Sequence, residues 1–305
     1  MKKGYRMKDS NPSVGLSIVS WRSWNTLEQT LSTYRDAGLF DIVDKSILYF
    51  QDLSERDIKI AEKFGLAYTG GPNCGIADGM RNAANQLKTD YVLFLENDCP
   101  VIASRVDIEH QLSLAVDYLE NGRIDVMRFR SRLFPGEGFS DIDKYLRYYR
   151  PVSPEPEVAL SGLTSTTWQR WGRRITKPYN IHRMKGRGLY VEKFPERLFP
   201  DVFEKTQDGI WIGDSNCMDW TNQSVLCKRT FFTDILMPYV DAHPSSRTSN
   251  GFQSPERPLN CSWWRQQHFK IGQGPGLFTH NRFDGSWRLA HPAYETPHAA
   301  EKGAS

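Results

Sequence analysis

The sequence lacks the features that would announce a disulfide scaffold, a membrane span or a nucleic-acid binder. Its five cysteines (Cys74, Cys99, Cys217, Cys227, Cys261) are an odd number without a CxxC pair, so neither a disulfide framework nor a zinc site follows. It has no long hydrophobic run: the first, Val14 to Val19, is short and broken by glycine and serine, too little for a signal core or a spanning helix. It has no excess of one charge, since 39 Lys and Arg against 36 Asp and Glu leave only +3, which argues for no nucleic acid. It also has neither GxGxxG nor GxxxxGK[ST], which excludes a dinucleotide fingerprint and a P-loop. The expectation is a reducing, cytoplasmic protein without a transmembrane segment, in which the sequons at Asn222 and Asn260 carry no weight. The basic stretch from Arg170 to Arg187 leaves peripheral membrane or phosphate contact open, although its bland reading is a solvated loop.

What is present is the composition of a globular protein, with 39% hydrophobic and 25% charged residues. Apolar patterning divides the chain. Residues 1–12 read as a polar leader and 291–305 as a disordered tail. Between them, 13–130 alternates short apolar runs with helical spacing. Strands are expected at Val14 to Trp21, Ile47 to Phe50, Leu66 to Thr69 and Tyr91 to Leu95, and at Asp125 to Phe129. Helices are expected at Asn25 to Ala37, from Ser54 to about Phe64, at Ile76 to Leu87 and at Ile108 to Leu119. Ser54 and Asp57 match a capping box weakly. This order implies an α/β fold with a parallel sheet and helices on both faces. From 131 to 290 the pattern degrades into a Pro-, Trp- and Arg-rich region, with a late strand at Ser224 to Phe232 and a short helix at Thr233 to Tyr239.

The most informative stretch runs from Tyr91 to Pro100, where a β-favouring apolar run meets Glu96-Asn97-Asp98. Alternate residues of a strand share a side, so Glu96 and Asp98 converge just past its end, where ligands of open α/β sheets bind. Two hard oxygen ligands there suit Mg²⁺ or Mn²⁺ carried on a phosphate; the bland alternative is an acidic turn. Upstream, Gly71-Pro72-Asn73-Cys74-Gly75 opens a helix bearing Arg81 and Asn82, a turn whose amides can approach a phosphate. Right-handed crossovers gather Asp52, this turn and the acidic pair on one rim.

Together, the first strand, Asp52 ending the second, the Pro-Asn-x-Gly…Arg-Asn turn and the acid-x-acid triplet resemble the GT-A-fold glycosyltransferases, family 2-like. The resemblance covers about residues 13 to 130. It implies a Rossmann-like, mostly parallel sheet whose 13–130 half binds a nucleotide sugar, with 131–290 as an irregular acceptor-side half. It implies that Ser20, Trp21, Arg22 and Asp52 hold the nucleoside, and that Asn73, Gly75 and Arg81 frame the diphosphate. Asp98 matches the direct metal ligand of the family's DxD. Glu96 stands first where Asp is usual, to act through water or on the ribose. A late His, His280 after Gly276-Leu277-Phe278-Thr279, is a further candidate ligand for Mn²⁺ or Mg²⁺.

The implied reaction moves a sugar from a nucleotide-diphosphate donor to a hydroxyl of a glycan or glycoconjugate, with inversion. That needs a general base, for which Asp219 is the first candidate and Asp214 the second. Trp168, Trp171, Trp211, Trp220, Trp263 and Trp264 can stack on a sugar or build core, with one or two expected at the acceptor site. Two other readings stand beside this one. A sugar-phosphate nucleotidyltransferase shares the layout, but Ser20-Trp21-Arg22-Ser23-Trp24-Asn25 lacks the glycine-rich loop such enzymes carry. A non-catalytic carbohydrate-binding module that kept the fold is the other.

Overall fold

The run VGLSIVSW, alternating between the two faces of a pleated strand, forms the buried strand β1 (Val14–Trp21) at the middle of the parallel half of the sheet. The computed structural model describes residues 12–137, 139–154, 165–248 and 251–283; the leader up to residue 11 and the tail 291–305 lie outside them. After β1 come α1 (Trp24–Asp36), α2 (Leu39–Ile42), β2 (Lys45–Gln51), α3 (Glu55–Phe64), β3 (Ala67–Gly71), α4 (Gly75–Leu87), β4 (Tyr91–Glu96), α5 (Arg105–Glu120) and β5 (Val126–Arg130). Each expected element of the first half is therefore present, within a few residues at its ends. The Ser54–Asp57 capping box forms in both directions, and Ser104 with Asp107 repeats it at the start of α5.

The second half is less regular. It holds α6 (Asp141–Leu146), α7 (Thr167–Thr176), α8 (Ile181–Arg187), α9 (Pro195–Leu198), β6 (Glu204–Lys205), β7 (Trp211–Asp214) and β8 (Val225–Lys228). A π-helical turn (Phe231–Leu236) leads into α10 (Met237–Ala242), followed by α11 (Glu256–Leu259), α12 (Ser262–Gln267) and β9 (Lys270–Phe278). Two expectations are corrected. The late strand stops at Lys228, and a π turn rather than strand carries Phe231 and Phe232 into the core. The basic stretch from Arg170 to Arg187 is not a solvated loop: α7 and α8 occupy it, and Arg187 is only 7% exposed.

The nine strands form one sheet in the order β3-β2-β1-β4-β8-β5-β9-β7-β6. Only β8 and β7 run against the rest, so the sheet is mostly parallel: β8 is antiparallel to both β4 and β5, and β7 to both β9 and β6. Alternation along each strand feeds two cores. Tyr91, Leu93 and Leu95 pack with α1, α3 and α5 on one face. Val92 and Phe94 pack with α4 and the C-terminal elements on the other. Each fully buried Leu or Ile contributes about 1.5–3 kcal/mol. The α/β fold with helices on both faces that the resemblance implies is the fold observed.

Candidate active site

Register places the rim. Trp21 lies level with Gln51, Gln51 with Gly71, and Val19 with Glu96, so the ends of β1 to β4 share one edge. Arg130 and Phe278 align at the same edge of the parallel pair β5 and β9. His280 leaves β9 there, three further backbone hydrogen bonds tying its neighbourhood to the acidic turn: Ile102 N–H to Leu277, Thr279 N–H to Pro100 and Asn281 N–H to Asp98.

Glu96, Asp98 and His280 converge: one ligand atom from each lies within 4.8 Å of the others. The cause differs from simple strand alternation. β4 ends at Glu96, and the Asn97-Asp98 turn carries Asp98 into the protein, where it is 1% exposed. Gly136, at φ +79°, lets the following loop lie against His280; a Cβ there would stand 2.2 Å from the His280 carbonyl oxygen. Through that contact the His280 Nδ1–H donates to the Glu137 carbonyl at 3.0 Å. Nε2 is thereby turned to Asp98 Oδ2 at 3.1 Å, and it is buried without an aligned hydrogen-bond partner. A lone pair and a carboxylate oxygen this close require positive charge between them, either a proton or a cation. Two carboxylates and an imidazole with its other nitrogen fixed by a carbonyl form a donor set that fits Mn²⁺ or Mg²⁺.

The electrostatics separate the two acids. Burial pushes Asp98 up, but His280 and Arg282, whose Nε donates to Oδ2 at 2.9 Å, outweigh it and bring the carboxyl to about 2. Burial and the neighbouring Asp98 instead raise Glu96 to about 7, with Gln223 opposing. Glu96 keeps some surface open to solvent, yet its carboxyl group lies deep among protein atoms. Gln223 Nε2 donates to Glu96 Oε2 at 2.8 Å and its Oε1 accepts from Arg130 at 2.9 Å.

On the other side of the rim, Asp52 binds three partners. Its Oδ2 accepts from the Trp21 indole at 2.9 Å and lies 3.4 Å from Arg22, while Oδ1 accepts from the Asn73 amide at 3.0 Å. Ser20 lies beneath, 2% exposed, with its hydroxyl oxygen unpartnered. The Asn73 side chain accepts from the Gly75 amide at 2.9 Å, an Asx turn that opens α4. Arg81, one and a half turns into α4, is ion-paired to Asp78 and Asp241.

The two candidate bases separate. Asp214 ends β7 level with Lys270, the first residue of β9, so the nine-residue length of that strand, roughly 25 Å, divides it from the rim. It caps Asn216 and pairs with His268. β7 runs against the parallel strands, and so its carboxyl end falls on the opposite edge. Asp219 lines a cleft of about 710 Å³ that adjoins Glu96 through Gln223. Its Oδ2 is clamped by Arg183 at 2.6 Å and Arg187 at 3.1 Å. Of the six tryptophans, Trp220 lines this cleft; Trp211 and Trp264 are core, Trp263 stacks on Tyr239, and Trp168 and Trp171 are exposed on α7.

Four residues at the site were not singled out in the sequence. Gln51 buries its amide and holds the turn through Gly75 O and the Cys74 amide. Gln223 and Arg282 lie four residues past the candidate base Asp219 and two residues past His280. Glu256 follows no pattern; it lines the cleft, sits close enough to raise Glu96, and accepts the Asn222 amide at 3.0 Å through Oε1.

No protein-family model matches the sequence, and no curated protein sequence matches it. Solved structures similar in shape include S. aureus TarS, at 9% identity and a TM-score of 0.42 over 88% of this chain and 60% of that one. They also include the mannosyltransferase PcManGT from Pyrobaculum calidifontis in complex with GDP-Man and Mn²⁺, at 10% identity and a TM-score of 0.42 over 90% and 59%. A third is glucosyl-3-phosphoglycerate synthase from Mycobacterium tuberculosis in complex with Mn²⁺ and UDP-glucose, at 14% identity and 0.31 over 38% and 43%. The chain thus spans 60% or less of the length of these structures. The likeness is loose. Among the described residues no helix is long and apolar enough to cross a membrane.

Proposed function

We propose that this chain is a divalent-metal-dependent, inverting glycosyltransferase of the cytoplasm. It would move a sugar from a nucleotide-diphosphate donor to a hydroxyl of an acceptor glycan or glycoconjugate. The observation that carries the reading is the convergence of Glu96, Asp98 and His280, with the buried His280 Nε2 3.1 Å from Asp98 Oδ2, on the rim that holds the Asp52–Asn73 turn. Asp98, Glu96 and His280 would hold Mn²⁺ or Mg²⁺, which supplies charge neutralisation for a departing diphosphate.

The chain's own residues do the rest. Ser20, Trp21, Arg22 and Asp52 position the nucleoside, and the Asn73–Gly75 turn frames the diphosphate. The acceptor oxygen attacks the anomeric carbon as the bond to the phosphate oxygen breaks, and the nucleoside diphosphate leaves. A base takes the acceptor proton. Glu256 suits this better than Asp219 or Asp214: it lines the cleft next to Glu96, and among the described residues its Oε2 has no hydrogen bond, whereas Asp219 Oδ2 is held by two arginines and Oδ1 is buried.

Isothermal titration with UDP, GDP and dTDP, each with and without Mn²⁺, tests the reading. One of the three is expected to bind in a Mn²⁺-dependent manner, and binding of none would overturn it.

A further inference from the structure

The cleft beside Glu96 holds more positive charge than its own acids neutralise. Seven Arg and Lys side chains line it against three carboxylates. The acids are already committed. Asp219 takes Arg183 and Arg187, Asp141 takes Arg187 and Lys144, and Glu256 accepts a backbone amide. Arg130 is engaged by the Pro135 and Glu137 carbonyls and by Gln223. Three guanidiniums remain. Arg128 on β5, Arg247 in the loop after α10 and Arg257 on α11 reach the cleft from separate elements. Among the described residues none of the three has a side-chain hydrogen bond or ion pair. Arg183 adds a buried Nε–H with no acceptor.

Folding gains nothing from bringing unpaired like charges to one cleft, since each repels the others. A cluster of this kind becomes favourable when an anion enters it. We infer that the cleft takes an acceptor bearing a phosphate group, held by Arg128, Arg247 and Arg257, with its hydroxyl directed toward Glu96 and Glu256. The inference rests on the glycosyltransferase reading above for the cleft's role as acceptor site. A phosphate is favoured over a carboxylate by number and shape. One guanidinium fork saturates a planar carboxylate, whereas three forks from three directions match the oxygens of a tetrahedral dianion. The donor's own diphosphate has a separate place at the Asp98 and Asn73 side of the rim. Asn260, Thr221 and Trp220 along the same wall supply the polar and aromatic contacts a polyol or sugar body needs.

The test uses glucose 6-phosphate, glucuronate and glucose as probes of the full chain by isothermal titration, beside the nucleoside diphosphate with Mn²⁺. Arg247 and Arg257 are exposed, so Arg247→Ala/Arg257→Ala removes two of the three forks without opening the core; Arg128→Ala is the second variant. Glucose 6-phosphate is expected to bind, glucose not to bind, and glucuronate to bind more weakly. Each variant should lose at least tenfold in glucose 6-phosphate affinity and leave the nucleoside diphosphate within twofold.

Absence of glucose 6-phosphate binding overturns the inference, as does binding unchanged in both variants. Tighter glucuronate binding would reassign the cleft to carboxylates. An equal loss of nucleoside diphosphate binding would assign the arginines to the donor. Failure of the glycosyltransferase reading has its own signature: no nucleoside diphosphate binds the wild type. Phosphate binding that then persists marks an anion site with no transfer reaction and overturns the acceptor role.

Discussion

Gln223 Nε2 donates a 2.8 Å hydrogen bond to Glu96 Oε2 across 127 residues of sequence. The same amide accepts from Arg130, so one side chain links the acidic end of β4 to the basic cleft. Replacing it leaves a carboxylate and a guanidinium each short of a partner. Gln223→Leu is therefore expected to cost about 1 kcal/mol in urea unfolding. Because Gln223 orients a candidate ligand from behind, Mn²⁺ affinity should fall about 10- to 100-fold. Unchanged Mn²⁺ affinity in a folded Gln223→Leu chain would remove Glu96 from the metal site.

Asp98→Asn tests the other ligand. Asp98 is buried against His280 Nε2 and Arg282 Nε, and the amide leaves both without their counter-charge. The metal-free variant should unfold with about 3 kcal/mol less stability, the usual scale for breaking a buried pair. Wild type should gain about 2.7 kcal/mol at a Mn²⁺ concentration one hundred times Kd, and the variant nothing. Thermal melts with and without Mn²⁺ read both effects. A variant stabilised by Mn²⁺ as much as wild type would disprove the assignment.

Much of this site was legible because its parts lie in the regular half. Val14 to Trp21 and Tyr91 to Glu96 carry their strand character locally, and the crossover rule alone then gathers Asp52, Asn73 and Glu96 on one edge. The C-terminal half resists such reading for physical reasons. Its helices are mostly four to seven residues long, too short to show a period, and β8 enters the sheet antiparallel between β4 and β5 through contacts far apart in sequence. β9 shows no strand pattern in the sequence because it contains Gly272, Gly274, Pro275 and Gly276. Gly276, at φ +97°, would place a Cβ 2.4 Å from Ser131 Cα and 2.5 Å from the Arg130 carbonyl oxygen, so glycine is needed where β9 shifts register against β5. The proline sits at the register shift opposite Arg128 and Arg130. Asp214 and Asp219 lie only five residues apart, yet the direction of β7 puts the first at the far edge.

Acid stability has an identifiable contributor outside the metal site. Burial raises the Asp141 carboxyl, but Arg187 and Lys144 outweigh that and hold it below the ordinary 3.8. A depressed folded pKa contributes stability that is present above the unfolded value and lost as pH falls through the folded one. Wild type should therefore lose stability as pH drops below about 4, and Asp141→Asn should show a shallower loss over that range while being less stable at pH 7. Urea midpoints measured from pH 6 to pH 2 check this. Parallel curves for the two proteins would show that Arg187 does not couple to Asp141.

Gly75 is required by conformation and by space. Its φ is +81°, and a Cβ would lie 2.3 Å from Phe252 Cβ. The positive φ alone costs an L-residue about 1–2 kcal/mol, and the contact adds displacement of the 252–253 segment, whose Gln253 carbonyl accepts the Ala77 amide. Gly75→Ala is expected to lose about 2 kcal/mol or more and to weaken nucleoside diphosphate binding, as the turn it opens is deformed. Gly71→Ala, whose added Cβ meets nothing within 4 Å, is the control and should be close to neutral. Equal effects of the two substitutions would show that the turn's shape is not the cause.

The choice of base rests on what holds each carboxylate. Asp219 is fixed between Arg183 and Arg187 through Oδ2, and its Oδ1 is buried away from the surface of the cleft. Glu256 uses one oxygen on the Asn222 amide and keeps the other for the cleft. Glu256→Gln preserves shape and that backbone contact through the amide oxygen but cannot accept the acceptor's proton. Its kcat should fall 10²- to 10⁴-fold, the range for removing a general base, with nucleoside diphosphate affinity unchanged. Asp219→Asn should instead destabilise the fold, because two buried or half-buried guanidiniums lose their partner, while the surviving folded enzyme keeps the wild-type pH dependence of kcat. Single-turnover rates with donor in excess separate the two cases, because they report the transfer step apart from product release. Full activity in Glu256→Gln, or a 10²-fold loss confined to kcat in Asp219→Asn, would return the role to Asp219.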